Sequence, residues 1–118
     1  MEILENLKGS VQFASDHHVY KFLSETPHSS ISIVGWEPGQ VSPIHCHPDA
    51  DEIYYVIEGE GLFNDGHREV RLKQGDTVVF PAGEVHQVKS VTRMVLYRVQ
   101  AGADRHPEPR PDWPKRQV

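Results

Sequence analysis

The stretch Gly39-Gln40-Val41-Ser42-Pro43-Ile44-His45-Cys46-His47-Pro48-Asp49-Ala50-Asp51-Glu52 places two imidazoles and a carboxylate close together in the chain. In an extended segment successive side chains alternate between faces, so His45 and His47 point one way and Cys46 the other. Glu52 opens the apolar run Ile53-Tyr54-Tyr55-Val56-Ile57, and a turn at Pro48-Asp49-Ala50-Asp51 would return it beside the two histidines. Further along, beyond two glycine-bounded turns, His86 sits on another apolar segment. Three imidazoles and a carboxylate suit zinc, iron, nickel, copper or manganese, and do not suit calcium. His17, His18, His28, His67 and His106 fall among polar or turn-forming neighbours and are read as having no site role.

Outward from this stretch the chain reads as strands and turns with little helix. Candidate strands are residues 11–13, 19–23, 31–36, 41–47, 52–58, 61–63, 68–72, 76–80, 85–91 and 93–100. Nearly all are rich in Val, Ile, Tyr and Phe and end at Gly, Pro, Asn or Asp. Asn64-Asp65-Gly66, between two such runs, is a hairpin signal because Asp-Gly tolerates positive φ. Short strands at regular spacing imply an all-β sandwich or barrel.

The spacing resembles the cupin family. Gly39, five residues, His45-x-His47, four residues, Glu52, six residues and Gly59 match its first motif. Gly75, five residues, Pro81-x-Gly83, two residues and His86 match the second, with Ser90 where the family often has Asn. The motifs span residues 39–59 and 75–90, with the fifteen residues from Glu60 to Gln74 as a short spacer. The resemblance implies a small jelly-roll β-barrel whose His45, His47, Glu52 and His86 hold one divalent transition metal per chain. Fe(II) is the leading candidate, with Zn, Ni and Mn as alternatives. It also implies a homodimer and a small-molecule substrate. Because one fold hosts many chemistries, the reaction stays open. Dioxygenase-type oxidation of a small oxygenated molecule leads. A non-redox isomerase, decarboxylase or lyase is the alternative, as is a ligand-binding or metal-stapled module without catalysis. Glu52 would hold the metal and could release it to act as a base.

Length and charge narrow the class further. A chain of 118 residues suits one domain, taken as residues 1–104, followed by a proline-rich tail over 105–118. Twelve Lys plus Arg against seventeen Asp plus Glu give a net charge of −5 with no basic run, which argues against nucleic acid or an anionic membrane as partner. No stretch approaches the roughly 18 apolar residues of a membrane span. Met1-Glu2-Ile3-Leu4-Glu5-Asn6 does not resemble a signal peptide, so the expected location is cytoplasmic. One cysteine makes no internal disulfide.

Parity nominates the residues around the ligands. Counting in twos from Glu52 puts Tyr54 and Val56 on the metal face, and from His86 it adds Val88. Tyr54 is thus a candidate hydrogen-bond donor or acid beside the metal. Cys46, on the opposite face, is read as structural. On residues 93–100 both faces are apolar, so parity does not choose between Met94, Leu96 and Arg98 on one side and Val95, Tyr97 and Val99 on the other. Surface placement is the expectation for Arg98; an inward Arg98 would hold a carboxylate substrate. Pro107, Pro109, Pro111 and Pro114 are expected to keep the tail out of strand and helix, with Trp113 anchoring it on the barrel or on a neighbouring subunit.

Overall fold

The computed structural model describes residues 1–114. Its strands are β1 (Val19–Thr26), β2 (Ser29–Trp36), β3 (His45–Cys46), β4 (Asp51–Glu58), β5 (Glu60–Asn64), β6 (Glu69–Lys73), β7 (Thr77–Phe80), β8 (Gln87–Ser90), β9 (Met94–Ala101) and β10 (Glu108–Pro109). The described residues include no α-helix, and Lys8–Ser10 form a 3-10 turn. A five-stranded sheet in the order β1-β2-β9-β4-β7 faces a three-stranded sheet, β6-β5-β8. All pairings are antiparallel, and β10 pairs with β3. This is the jelly-roll β-barrel expected from the short strands.

The inward faces of β2, β9 and β4 stack in register as layers. Val34, Leu96 and Val56 form one layer, and Trp36 and Met94 lie below it. With Phe63, Phe80, Val88 and Tyr54 they make the hydrophobic core. Full burial of a side chain such as Leu96 contributes about 1.5–3 kcal/mol. The two remaining layers, Ser32-Arg98-Tyr54 and Ser30-Gln100-Glu52, are polar. The same strands therefore supply a dry core at one end of the barrel and a polar chamber at the other.

Turns set this register. Gly39, Gly59, Gly75 and Gly83 all have positive φ, between 82° and 94°. At Gly59 an added Cβ would lie 2.1 Å from the Arg93 carbonyl oxygen, so the β4–β5 turn needs glycine for close approach as well as for φ. The turn expected at residues 48–51 is present. The Ala50 and Gly83 amides donate to the His47 carbonyl at 3.4 and 2.9 Å, and Asp51 Oδ1 accepts from the Ala82 amide at 2.9 Å.

Four expectations need correction. Residues 11–13 form no strand; they pass over Gly35, whose missing side chain leaves room for the Gln12 backbone, and the Phe13 ring lies under the Arg93 guanidinium. Residues 41–47 are not one continuous strand, because Pro43 lacks an amide donor. Val41 bridges to Lys89 and His45 to His86, while Ser42 Oγ accepts from the Val88 amide at 2.9 Å. Proline does not keep the tail out of the sheet: Glu108 and Pro109 pair with Cys46 and His45, and Arg110 donates its amide to Ile44. An edge strand tolerates proline when the missing N–H faces away from the ladder. Arg98, expected at the surface, is buried.

Candidate metal centre

Four side chains from three segments meet at the polar end of the barrel. His45 and His47 come from β3 and the residue after it, Glu52 from the start of β4, and His86 from the residue before β8. Reciprocal backbone hydrogen bonds between His45 and His86 (3.1 and 2.8 Å) lock the two histidine segments together. One ligating atom from each of His45, His47, Glu52 and His86 lies within 4.8 Å of all the others, and all four residues are buried. His86 is also stacked on Phe80, with ring centroids 4.2 Å apart.

Backbone carbonyls orient the three imidazoles. His45 Nδ1 lies 2.7 Å from the Pro43 oxygen, His86 Nδ1 3.0 Å from the Glu84 oxygen and His47 Nδ1 3.2 Å from the Arg105 oxygen. A carbonyl only accepts, so each Nδ1 donates and each Nε2 keeps a lone pair. Glu52 Oε2 lies 2.8 Å from His47 Nε2 and 2.9 Å from His86 Nε2. Both Glu52 Oε2 and His86 Nε2 are buried without a hydrogen-bond partner. Acceptor atoms facing one another in a dry site cost free energy, and a cation among them removes that cost. The donor set therefore fits a divalent metal, and carbonyl-fixed imidazoles are the usual support for such ligands.

Glu52 is held from its other side. Tyr54 Oη donates to Glu52 Oε1 at 2.6 Å, and Arg98 Nη1 lies 3.6 Å from the same oxygen. Burial raises the Glu52 carboxyl, but the His47 and His86 side chains set against Oε2 outweigh it and hold the group well below the usual carboxylate range. His45 is shifted down by burial and by neighbouring His86. Neutral imidazole and ionised carboxylate are the protonation states that metal binding requires.

A cavity of about 600 Å³ opens over His45 and His47. Its walls include His18 just before β1, Tyr20 and Phe22 on β1, Ser30 from β2, Arg98 and Gln100 from β9, and Arg105 and Pro107 from the segment after β9. His18 is stacked on Trp36 at 4.0 Å, and burial followed by the neighbouring charges lowers its pKa to about 4. Tyr54 is fully buried beneath the cavity, with its hydroxyl committed to Glu52. Cys46 is buried, with Arg110 Nη2 3.7 Å from its sulfur. Trp113 lies against Gly66 of the β5–β6 hairpin, where an added Cβ would come within 3.0 Å of the indole.

The family model for the cupin domain matches residues 32–108, well over half of the chain, and the chain belongs to that family. Over 53 residues it is 38% identical to an oxalate-binding protein of Thermotoga maritima, covering 45% of this chain and 44% of that protein. Over 71 residues it is 38% identical to the dimethylsulfoniopropionate lyase DddQ of Ruegeria pomeroyi, covering 56% of this chain and 35% of the lyase. The chain thus spans less than half the length of either relative. Among solved structures, a Klebsiella pneumoniae protein with a double-stranded β-helix domain superposes with a TM-score of 0.85 at 20% identity, covering 95% of this chain and 100% of that one. An RmlC-like cupin of Desulfovibrio desulfuricans superposes at 0.78 with 28% identity, over 86% of this chain and 97% of its own. No helix among the described residues is long and apolar enough to cross a membrane.

The fold brings together all four residues nominated as ligands and sets Tyr54 beside them. Sequence reasoning expected Arg98 at the surface, gave His18 no site role, and passed over Gln100, Ser30 and the Arg105 carbonyl. The alternation His18-x-Tyr20-x-Phe22 was a signal for one shared face. The Arg105 carbonyl had none, since backbone groups leave no trace in residue identity. His17, His28 and His106 are exposed, as their polar surroundings implied.

Proposed function

We propose that this chain is a metal-dependent enzyme acting on a small oxygenated organic molecule. The observation that carries the reading is the set of unpartnered, buried acceptor atoms, Glu52 Oε2 and His86 Nε2, grouped with His45 and His47, which line a 600 Å³ cavity. His45, His47, Glu52 and His86 would hold one divalent ion, Fe(II) first. Such an ion supplies Lewis acidity, or redox chemistry with dioxygen if it is iron. The chain's own residues orient and enclose. Carbonyls of Pro43, Glu84 and Arg105 aim the imidazoles, and Tyr54 and Arg98 hold Glu52. Tyr54 acts through Glu52 as a positioning residue. Phe22, Pro43 and Pro107 help to exclude water from the chamber.

A second, non-redox reading is favoured by His18, which stands in the cavity wall and, kept neutral by burial, is a weak base that takes a proton only from a bound molecule made acidic at the metal. Turnover of a panel of small oxygenated acids, with protein loaded with Fe(II) or Zn(II) and assayed with and without air, separates the readings. Turnover only with iron and air supports oxidation. Turnover with either metal under argon, lost in His18→Phe, supports proton transfer. No turnover under any condition, with metal bound, refutes the enzyme. Dimerisation belongs to the same proposal, and sedimentation equilibrium tests it.

A further inference from the structure

Beside the metal ligands lies a second group of buried polar side chains, of which the reading above uses only Arg98, and that only to hold Glu52. Ser30 and Ser32 stand two apart on the inward face of β2, and Arg98 and Gln100 face them in register on β9. All four are buried, with Ser30 only 2% and Arg98 only 5% exposed. Arg98 Nε and Nη2 lie 3.2 and 3.1 Å from Ser32 Oγ, and Nη1 faces Glu52 at 3.6 Å. Its guanidinium also lies over the Tyr20 ring, 4.2 Å from the centroid. A guanidinium carries five N–H groups, more than Ser32 Oγ, Glu52 and the Tyr20 hydroxyl take up. Ser30 Oγ is buried on the cavity wall without a hydrogen-bond partner.

We infer that Arg98 and Ser30 form a carboxylate subsite next to the metal centre, so that the molecule taken up is a small carboxylic acid. It would place its carboxylate on Arg98 and Ser30 and a second oxygen on the metal. This rests on the metal reading and adds the chemical class of ligand. Charge balance points the same way: Arg98 and Glu52 cancel, so a divalent ion leaves the buried chamber with two uncompensated positive charges, which an anion offsets. Arginine suits a planar carboxylate, because two N–H groups of the fork can meet its two oxygens. Phe22, Pro43, Ala103 and Pro107 offer apolar surface to the carbon body.

The probes are glycolate, which has a carboxylate and a hydroxyl, and its neutral isostere glycolamide, titrated calorimetrically into Zn(II)-loaded protein with metal content measured in every sample. Glycolate should bind at least tenfold tighter than glycolamide. Ser30→Ala removes a hydroxyl that bonds to nothing in the fold, so metal content and melting temperature should stay at the parent values. Glycolate affinity should fall about tenfold, the usual loss for one hydrogen bond to a charged group. Arg98→Lys, which keeps the charge but not the fork, should weaken glycolate further. Equal binding of the two probes, or glycolate affinity unchanged by both substitutions in metal-loaded protein, overturns the subsite while leaving the metal centre intact. A parent protein that binds no metal, yet takes glycolate in a manner sensitive to Ser30 and Arg98, overturns the metal reading and leaves the subsite standing.

Discussion

Replacing Tyr54 with Phe removes one atom from the floor of the site and tests how Glu52 is held. The hydroxyl is fully buried and donates to Glu52 Oε1 at 2.6 Å; without it that oxygen keeps only Arg98, at 3.6 Å. The ring keeps its neighbours Phe63 and Phe80, with centroids 6.2 and 6.4 Å away, so no cavity larger than the lost oxygen opens. A hydrogen bond to a charged group is worth about 1.5–3 kcal/mol, and about 2 kcal/mol is the expected loss. A melting entropy of about 2.1 cal/mol/K per residue over 118 residues amounts to about 0.25 kcal/mol/K, so Tm should fall by about 8 °C. A carboxylate ligand that loses its support typically weakens metal binding about 10- to 100-fold. Thermal unfolding followed by circular dichroism, together with chelator competition on the same preparation, reads both numbers. A Tyr54→Phe protein with the parent Tm and the parent metal affinity would refute the assignment of Tyr54 as the residue that holds Glu52.

Protein purified without added metal should contain about one divalent transition ion per chain, and His47→Ala or His86→Ala should lose it; stoichiometric metal in either variant by elemental analysis counts against the centre. Ending the chain at Asp104 removes the Arg105 carbonyl that orients His47 and should lower metal affinity about tenfold by chelator competition. The His18 pKa is lowered from 6.5 to about 4 in the fold. Its neutral form is therefore favoured by folding, and its contribution to stability is complete above pH 6.5 and lost as pH falls towards 4. The Tm of metal-free protein should drop across that window and drop less in His18→Phe; parallel curves for the two proteins would show that His18 is not the group responsible.

Three of the four ligands were legible in the sequence because their geometry is local, and His86, 34 residues beyond Glu52, through the resemblance of the second motif to the cupin pattern. His45-x-His47 share a face by strand parity, the turn over residues 48–51 returns Glu52, and Gly59 and Gly83 permit turns that a Cβ would obstruct or strain. The same parity placed Tyr54, Val56 and Val88 inward, as found. Parity says only that alternate residues share a face; it does not say which face is inside when both are apolar. That ambiguity put Arg98 at the surface, and the pairing of β9 between β2 and β4 resolves it by setting Arg98 opposite Ser32 and Tyr54.

The sequence by itself determined which atoms could bind a metal and that the chain would fold as short antiparallel strands, because both depend on residue type and on spacings of a few bonds. Tertiary structure decided what surrounds those atoms. It aimed each Nε2 through a carbonyl, brought the segment after β9 over His47, stacked His18 on Trp36, and gathered Ser30, Ser32, Arg98 and Gln100 around one chamber. These contacts join residues tens of positions apart. They exist only once the pairing of strands has been chosen, and that choice is made by the burial of the whole core and not by any one segment of it.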